Sequence, residues 1–480
     1  MIILIMNRMN NRGDNMFAAG KKEMQMMDHY TINELGLPGA VLMENAGQKV
    51  VEEIIAINNN YKKIVILVGG GNNGGDGFVI GRKLWDMGYT PILWLLVPPE
   101  KIKGDANIHF NVYKNRQLPI SYLKGDFELS EIKNDIEDAE IIVDAMMGTG
   151  IKGEVRPPFQ RIINFVNENH EGKTIVAVDI PSGLNSETGK VEGAAVKATK
   201  TITFVFPKKG FFLQEGPKYI GEWKAVDISV PPSLIERLQL KLPEIITHAL
   251  VKKSLPKRIV NGHKGSFGHV LVIGGSKEYV GAPQYTAKAA FYSGAGLVSL
   301  AIPDTIYPII AGHNSESIFM PIETENGVFS KNGKRTILSK LKKYDTVAIG
   351  PGLGRVKEKK EFVLDILNGV KEQSVVIDAD GLHYLKDSLH MLKELSSNII
   401  LTPHPGEMAN LLNISIQEVE SNRLKIAEHF ATSYNVFLVL KGHRTIMATP
   451  NGALYINPIG NDSLSKGGSG DVLTGFIASF

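Results

Sequence analysis

Four aspartates stand where a folded chain can use them. Asp144 and Asp179 each follow a run of apolar, mostly β-branched residues, Ile141-Ile142-Val143 and Thr174-Ile175-Val176-Ala177-Val178. Asp76 lies within Gly69-Gly70-Gly71-Asn72-Asn73-Gly74-Gly75-Asp76-Gly77, directly after a third such run ending at Val68. Glycines after a buried strand let backbone approach a ligand, and the free N–H groups of a following helix suit phosphate, so this turn reads as a diphosphate cradle. The asparagines and Asp76 add oxygen ligands that a purely structural turn would not need. The fourth, Asp471, closes Gly467-Gly468-Ser469-Gly470-Asp471 ahead of a helical segment. Amides there can hold a transferring phosphate while the carboxylate takes a proton from a hydroxyl, which is phosphoryl transfer to a small alcohol.

Other polar residues cluster after apolar runs. Leu440-Lys441-Gly442-His443-Arg444-Thr445 suits a nucleotide's phosphates or ribose, and Thr402-Pro403-His404-Pro405-Gly406-Glu407-Met408 gathers a histidine and a carboxylate. With no cysteine and no second histidine nearby, His404 and Glu407 fall short of a zinc set and read as substrate contacts. Ile349-Gly350-Pro351-Gly352-Leu353-Gly354 offers another backbone contact, and Lys208 is either an electrostatic helper or a solvated loop lysine. Taken singly, Asp144 and Asp179 are each as well explained by capping a helix or turn.

What makes them converge is the arrangement of strands. Continuous apolar runs suit strands buried on both faces of a parallel sheet, and ligands bind beyond the carboxyl ends of such strands. The first half has Ile64-Val65-Ile66-Leu67-Val68 besides the two runs above; helix-length segments separate them. A second set follows: Val270-Leu271-Val272-Ile273, Thr346-Val347-Ala348-Ile349, Val375-Val376-Ile377, Ile399-Ile400-Leu401 and Val436-Phe437-Leu438-Val439-Leu440. Between them, Pro231-Pro232 through Pro243 to Pro256-Lys257-Arg258 shows no strong strand and is expected to be the linker. The fold class is therefore α/β in two domains, placed at 16–235 and 245–480, and 480 residues are enough for two cores.

Composition narrows the partners. The chain is 43% hydrophobic and 21% charged, and 53 basic against 50 acidic residues leave a net charge of +3, too little for a field that would gather nucleic acid or anionic lipid. The absence of cysteine excludes disulfides, thiolate metal sites and a cysteine nucleophile. The apolar start, Met1-Ile2-Ile3-Leu4-Ile5-Met6, is too short for a signal-peptide core, and no apolar run approaches the roughly 20 residues of a spanning helix. A cytoplasmic homo-oligomer that binds neither nucleic acid nor membrane is expected.

Met43-Glu44-Asn45-Ala46-Gly47, the glycine-rich turn, Val143-Asp144-Ala145-Met146-Met147-Gly148-Thr149-Gly150 and Val178-Asp179-Ile180-Pro181-Ser182-Gly183-Leu184 together resemble the NAD(P)HX epimerase family, over roughly Met24 to Val230. The resemblance implies a Rossmann-like three-layer domain. In it Asn72, Asn73, Gly74, Gly75, Asp76, Gly148, Thr149, Gly150, Ile151, Lys152, Gly153 and Glu154 would contact hydrated cofactor, Asn73, Asp144 and Ser182 would coordinate K+, and Asp179 would face the substrate. An oxygen-only set suits a large, weakly charged cation. Epimerisation needs a positioned acid or base, and Asp179 is the candidate.

The second half resembles the ribokinase-like ADP- or ATP-dependent NAD(P)HX dehydratases, through His263 to Ser276, Gly281-Ala282-Pro283, Ser293 to Ala301, Gly350 to Gly354, Thr402 to Met408 and Gly467 to Gly475. The implied reaction phosphorylates the hydrate's hydroxyl and then expels phosphate. Asp471 would be the base. Lys441, Gly442, His443, Arg444, Thr445 and the run Asn461-Asp462-Ser463-Leu464-Ser465-Lys466-Gly467-Gly468-Ser469-Gly470 would hold ADP or ATP with Mg2+, and Ala282, Gly354, His404, Pro405, Gly406, Glu407, Met408, Ala409 and Asn410 the hydrate. The family's pattern continues beyond the helix after Asp471, whereas this sequence stops at Phe480, so an incomplete nucleotide-site wall is expected; a start at Met16 would spare every motif. The competing reading is a small-alcohol kinase fused to a non-catalytic nucleotide-binding module.

Overall fold

The apolar runs become parallel strands. In the computed structural model, which describes residues 15–57, 63–123, 129–151, 153–325 and 328–480, the chain divides into two units, Phe17–Pro243 and Glu244–Phe480, with Asn15 and Met16 grouped with the second.

The first unit is built on seven parallel strands: β1 (Ile64–Val68), β2 (Ile92–Leu95), β3 (Ser121–Tyr122), β4 (Ile141–Ala145), β5 (Thr174–Val178), β6 (Lys200–Phe204) and β7 (Glu222–Val226). Their order is β3-β2-β1-β4-β5-β6-β7, with Val68 opposite Ala145 and Val178 opposite Ile202. Alternation of side chains sorts each strand between two cores. Ile64, Ile66 and Val68 pack with residues of helices α1 (Lys21–Asn33), α2 (Gly39–Ile57), α3 (Asn72–Asp86) and α4 (Gly104–Asn115). Val65 and Leu67 pack on the other face with α5 (Ser130–Asp138) and α6 (Phe159–Glu168). Both faces are covered, as the unbroken apolar runs require. The order reverses direction between β1 and β4, and a crevice opens at the carboxyl ends of strands at such a switch point.

The second unit has the order β8-β17-β16-β15-β14-β13-β12-β9-β10-β11 for strands β8 (Glu244–Ile245), β9 (His269–Ile273), β10 (Leu297–Pro303), β11 (Ile318–Ile322), β12 (Thr346–Ile349), β13 (Ser374–Ile377), β14 (Ile399–Leu401), β15 (Phe437–Leu440), β16 (Ile446–Ala448) and β17 (Leu454–Ile456). From β15 to β11 all neighbours are parallel, while β16 runs antiparallel to β15 and β17. Helices α7 (Gly281–Tyr292) and α11 (Ser469–Ser479) cover one face through Ala287, Ala290, Ile477 and Ala478. They approach closely because Gly475 has no side chain: a Cβ there would lie 2.0 Å from the Thr286 carbonyl oxygen. Helices α8 (Asp380–Leu385), α9 (Pro405–Leu412) and α10 (Arg423–Tyr434) follow β13, β14 and the next connection.

The α/β class expected from the sequence holds in both units. The stretch read as a strandless linker does not match that expectation: it includes β8, paired with β17, and a helix, His248–Ser254. The Thr247 hydroxyl caps that helix by accepting the Leu250 N–H at 3.1 Å, a local signal that proline spacing obscured. No described helix is long and apolar enough to cross a membrane.

Candidate active sites

In the first unit β1 runs into Gly69, and α3 begins at Asn72, inside the glycine-rich stretch and not after it. Most of the expected turn is therefore helix. None of its glycines has positive φ; their role is close approach. A Cβ on Gly74 would fall 2.0 Å from the Gly69 oxygen, and one on Gly75 2.3 Å from the Met43 sulfur. Gly74 and Gly75 thus pack inward and serve α3, while Gly70, Gly71, Asn72, Asn73 and Asp76 line a cleft of about 1030 Å³. Gly71, with no heavy atom near its Cβ position, leaves the unpaired N–H groups of the first helical turn approachable.

Asp179 terminates β5 in the left-handed region, φ +65°. Its Oδ1 accepts from Lys208 Nζ at 2.6 Å, the Phe204 N–H at 3.0 Å and the Thr203 hydroxyl at 3.2 Å. Lys208 is not the solvated loop lysine that its neighbours in sequence suggested. It is 1% exposed, and its ammonium also donates to Thr203 Oγ1 at 2.9 Å and the Phe206 carbonyl at 3.1 Å. A buried charge so completely satisfied is a fixed positive point at the cleft floor. Two more carboxyls join Asp179 there. Burial lifts Asp76 well above the ordinary carboxylate range, helped by the charges of Asp179 and Asp28. Burial also pushes Asp28 of α1 up to about 6, with Asp179 adding to the effect and Lys208 opposing it. Asp28 escaped the sequence reading because it sits mid-helix in a methionine-rich stretch, with no strand end to mark it.

Beside this floor lies an oxygen-rich pocket. Asp144, fully buried on β4, accepts from the Ser182 N–H at 2.7 Å and the Ser182 hydroxyl at 2.5 Å; burial still pushes its carboxyl up to about 6. Ser182 Oγ accepts the Met147 N–H at 2.8 Å. Asn73 donates its amide to the Met147 carbonyl at 3.0 Å, leaving its buried Oδ1 without a partner among the described residues. An orphaned amide oxygen beside a carboxylate and a hydroxyl fits a monovalent cation. Gly148, Thr149, Gly150, Ile151, Gly153 and Glu154 line the same cleft; Lys152 lies outside the described residues.

In the second unit the parallel strands again end together. Asp378, just beyond β13 and 1% exposed, accepts Lys441 Nζ at 2.8 Å and the Thr474 hydroxyl at 2.7 Å. Lys441, just beyond β15, also stands 3.7 Å from Glu407. Asp471 occupies the first turn of α11, whose N-cap Gly468 has φ +88°. Burial pushes Asp471 up to about 6, Asp378 and Asp380 raising it further and Lys441 opposing them. Burial raises Glu407 as well. Asp378 and Asp380 were missed, although Val375-Val376-Ile377-Asp378 carries the same strand-end signal that marked Asp144 and Asp179.

Gly350 and Gly354 adopt φ of +125° and +76°. A Cβ on Gly350 would lie 1.9 Å from the Asp378 oxygen, and the Gly354 N–H donates to Asp380 at 2.8 Å. Ala282, the second residue of α7, packs close to Gly352. His404 caps α9, its Nδ1 accepting the Gly406 N–H at 3.0 Å and the Glu407 N–H at 3.3 Å, while Glu407 accepts the His404 N–H at 2.7 Å. Pro405 takes the first helical position, and Asn410 accepts from Lys386 at 3.3 Å. Met408 and Ala409 turn into the core, so α9 presents only its amino end. No three His, Asp or Glu side chains gather as a metal cage among the described residues. Gly442 and His443 are exposed, Arg444 and Thr445 half-buried, and Asn461, Asp462, Ser463, Leu464, Ser465, Lys466 and Gly467 form an exposed segment, with a short 3-10 turn over Asp462–Leu464, ahead of Ser469 and Gly470. The two segments adjoin, since a Cβ on Gly460 would meet the His443 oxygen at 1.9 Å.

Known proteins share both units. Residues 39–210 match the family described as YjeF-related protein N-terminus, and residues 270–480 the family described as NAD(P)H-hydrate dehydratase. The bifunctional NAD(P)H-hydrate repair enzyme Nnr of Moorella thermoacetica is 38% identical over 467 residues, 96% of this chain and 87% of that one. Its counterpart in Thermofilum pendens is 33% identical over 97% of this chain and 87% of that one. Among solved structures, the ADP/ATP-dependent NAD(P)H-hydrate dehydratase of Bacillus subtilis is 29% identical, covering 50% of this chain and 81% of that one with a TM-score of 0.44.

Proposed function

From a chain that belongs to the family of bifunctional NAD(P)H-hydrate repair enzymes, we propose two activities on one substrate: Phe17–Pro243 epimerises the R and S hydrates, and Glu244–Phe480 dehydrates the S form at the expense of ADP or ATP. The observation that carries the reading is the Asp179–Lys208 pair, a fixed carboxylate at the floor of a cleft large enough for a dinucleotide fragment. A non-catalytic binding module has no need to hold one carboxylate oxygen with three donors.

The amino end of α3 takes the diphosphate through its free N–H groups and dipole. The 148–154 loop closes the cleft side, and Asp179 handles a proton at the hydroxyl-bearing carbon. Potassium, held by Asn73 Oδ1 with Asp144 and Ser182, would supply positive charge that ties the start of α3 to the loop after β4. In the second unit Asp471 takes the proton of the hydrate's hydroxyl as its oxygen attacks the terminal phosphorus, and the nucleotide's bridging oxygen leaves. Phosphate then departs with its C–O electron pair while the neighbouring carbon loses a proton, restoring the ring double bond. The first turn of α11 neutralises charge on the transferring group. Magnesium would accompany the nucleotide, bound mainly by phosphate oxygens and water.

One assay tests both halves. Purified chain is given separated R and S hydrates, with and without Mg-ADP or Mg-ATP, in potassium and in tetramethylammonium buffer. We expect nucleotide-dependent return of NADH from S that Asp471→Asn abolishes, and potassium-dependent interconversion of R and S. No return of NADH overturns the dehydratase; interconversion no faster than in buffer overturns the epimerase; and equal rates in both buffers overturn the cation's role.

A further inference from the structure

Asp28 has no place in the scheme so far, yet it lines the same cleft as Asp179 and interacts with its charge. It reaches the floor from α1, whereas Asp179 comes from the end of β5, so two carboxyls enter one cavity from separate elements. Their conditions differ. Asp179 is held by an ammonium, a hydroxyl and a backbone N–H. Asp28 makes no hydrogen bond to any described residue and lines a cleft to which Ile32, Leu42 and Met43 also contribute apolar surface, and its burial disfavours charge. The charged groups facing it are Asp179, Asp76 and Lys208. With Lys208 committed to Asp179, no cation remains among these three to neutralise Asp28. Asp76 is less suited to serve the substrate, being sunk beneath the first turn of α3 and only 7% exposed.

We propose that Asp28 is a catalytic residue of the epimerase, the proton donor to the hydroxyl that leaves the hydrated ring. The inference rests on the epimerase reading above. The hydrate carries its hydroxyl on the ring carbon next to nitrogen, so the bond can open heterolytically. Protonated Asp28 gives its proton to the hydroxyl oxygen, the C–O bond breaks with its electron pair leaving on water, and the nitrogen lone pair forms a C=N bond to the same carbon. Water then adds to the opposite face, the C=N pair returns to nitrogen, and Asp179 takes the proton lost by the incoming water. The balance is one water out and one in, with a proton passed from Asp28 to Asp179; solvent exchange returns the carboxyls to their starting state. Burial that lifts Asp28 to about 6 leaves a protonated fraction near neutral pH, which suits a donor, and a partner-free carboxyl can turn toward its substrate.

The full chain tests this in H₂¹⁸O with the pure R hydrate. The wild type should take up one solvent oxygen per epimerisation, and kcat/KM should fall as pH rises above Asp28's titration. Asp28→Asn should lose about a hundredfold or more in kcat, with little change in KM and without that alkaline fall. Asp28→Glu should keep the pH dependence and much of the rate. A cooperative thermal transition shows each variant folded. Epimerisation without uptake of ¹⁸O overturns the proposal, as does Asp28→Asn within threefold of wild type. A wild type that epimerises nothing overturns the epimerase reading itself.

Discussion

Asp28 and Asp179 share one cleft, but only Asp179 is paired with Lys208, and that asymmetry has a consequence for stability. The folded state binds the Asp28 proton more tightly than the unfolded chain does, since its carboxyl moves from 3.8 to about 6. Stability from that bound proton is complete below about pH 4 and is lost as pH climbs through 6. At pH 8 the ionised side chain is therefore a burden, of order 2 to 3 kcal/mol. Asp28→Asn should raise the unfolding midpoint of the first unit at pH 8 and leave it nearly unchanged at pH 4, by thermal melts in matched buffers. A gap that does not widen with pH would refute it. The same substitution should both stabilise and inactivate, as happens when a site keeps a group that the fold alone would not choose. At this scale the sequence disclosed some residues through the strand end or glycine-rich loop before them, passed over Asp378 despite the same strand-end signal, and hid those placed by packing alone. Asp144, Asp179 and Asp471 were marked by what precedes them, whereas Asp28 and the burial of Lys208 depend on packing between distant segments.

The glycine-rich stretch after β1 shows how an element can be read correctly for position and wrongly for form. Its composition suggested a ligand-wrapping turn, because glycine is a poor helix former. Close packing prevails: without side chains at Gly74 and Gly75, α3 seats against the Gly69 carbonyl and against Met43 of α2. The two kinds of glycine should therefore separate by mutation. Gly74→Ala must displace backbone, since its Cβ would lie 2.0 Å from a carbonyl oxygen, and should cost about 3 kcal/mol or more. Gly71→Ala, with open space and φ −94° at the N-cap, should change stability by less than about 1 kcal/mol. Urea titration of both variants decides the matter, and equal losses would mean that the glycines serve backbone conformation instead. In the second unit the glycines differ: Gly350, Gly354 and Gly468 do adopt positive φ, so there backbone conformation itself calls for glycine.

At the scale of the whole chain, the logic of joining two activities is stereochemical. A dehydratase that accepts only the S hydrate leaves the R form stranded unless something interconverts them. The two clusters use separate residues, with Asp179 and Lys208 in one unit and Asp471, Asp378 and Lys441 in the other. A substitution in one site should therefore leave the other's chemistry running, and the time course of a mixed substrate should show it. With excess nucleotide and an equal mixture of R and S, the wild type should restore nearly all the cofactor in one smooth phase. Asp179→Asn should restore the S half at the wild-type initial rate and then slow to the spontaneous epimerisation rate, giving a break near half amplitude. Adding Asp471→Asn protein, which keeps the epimerase site, should remove the break. A single slow phase from Asp179→Asn alone would show that this carboxylate also supports the dehydratase, and complete rapid restoration would show that it is not needed to epimerise. The break, its position and its rescue in trans read the division of labour directly from absorbance at the dihydronicotinamide band, without separating the epimers.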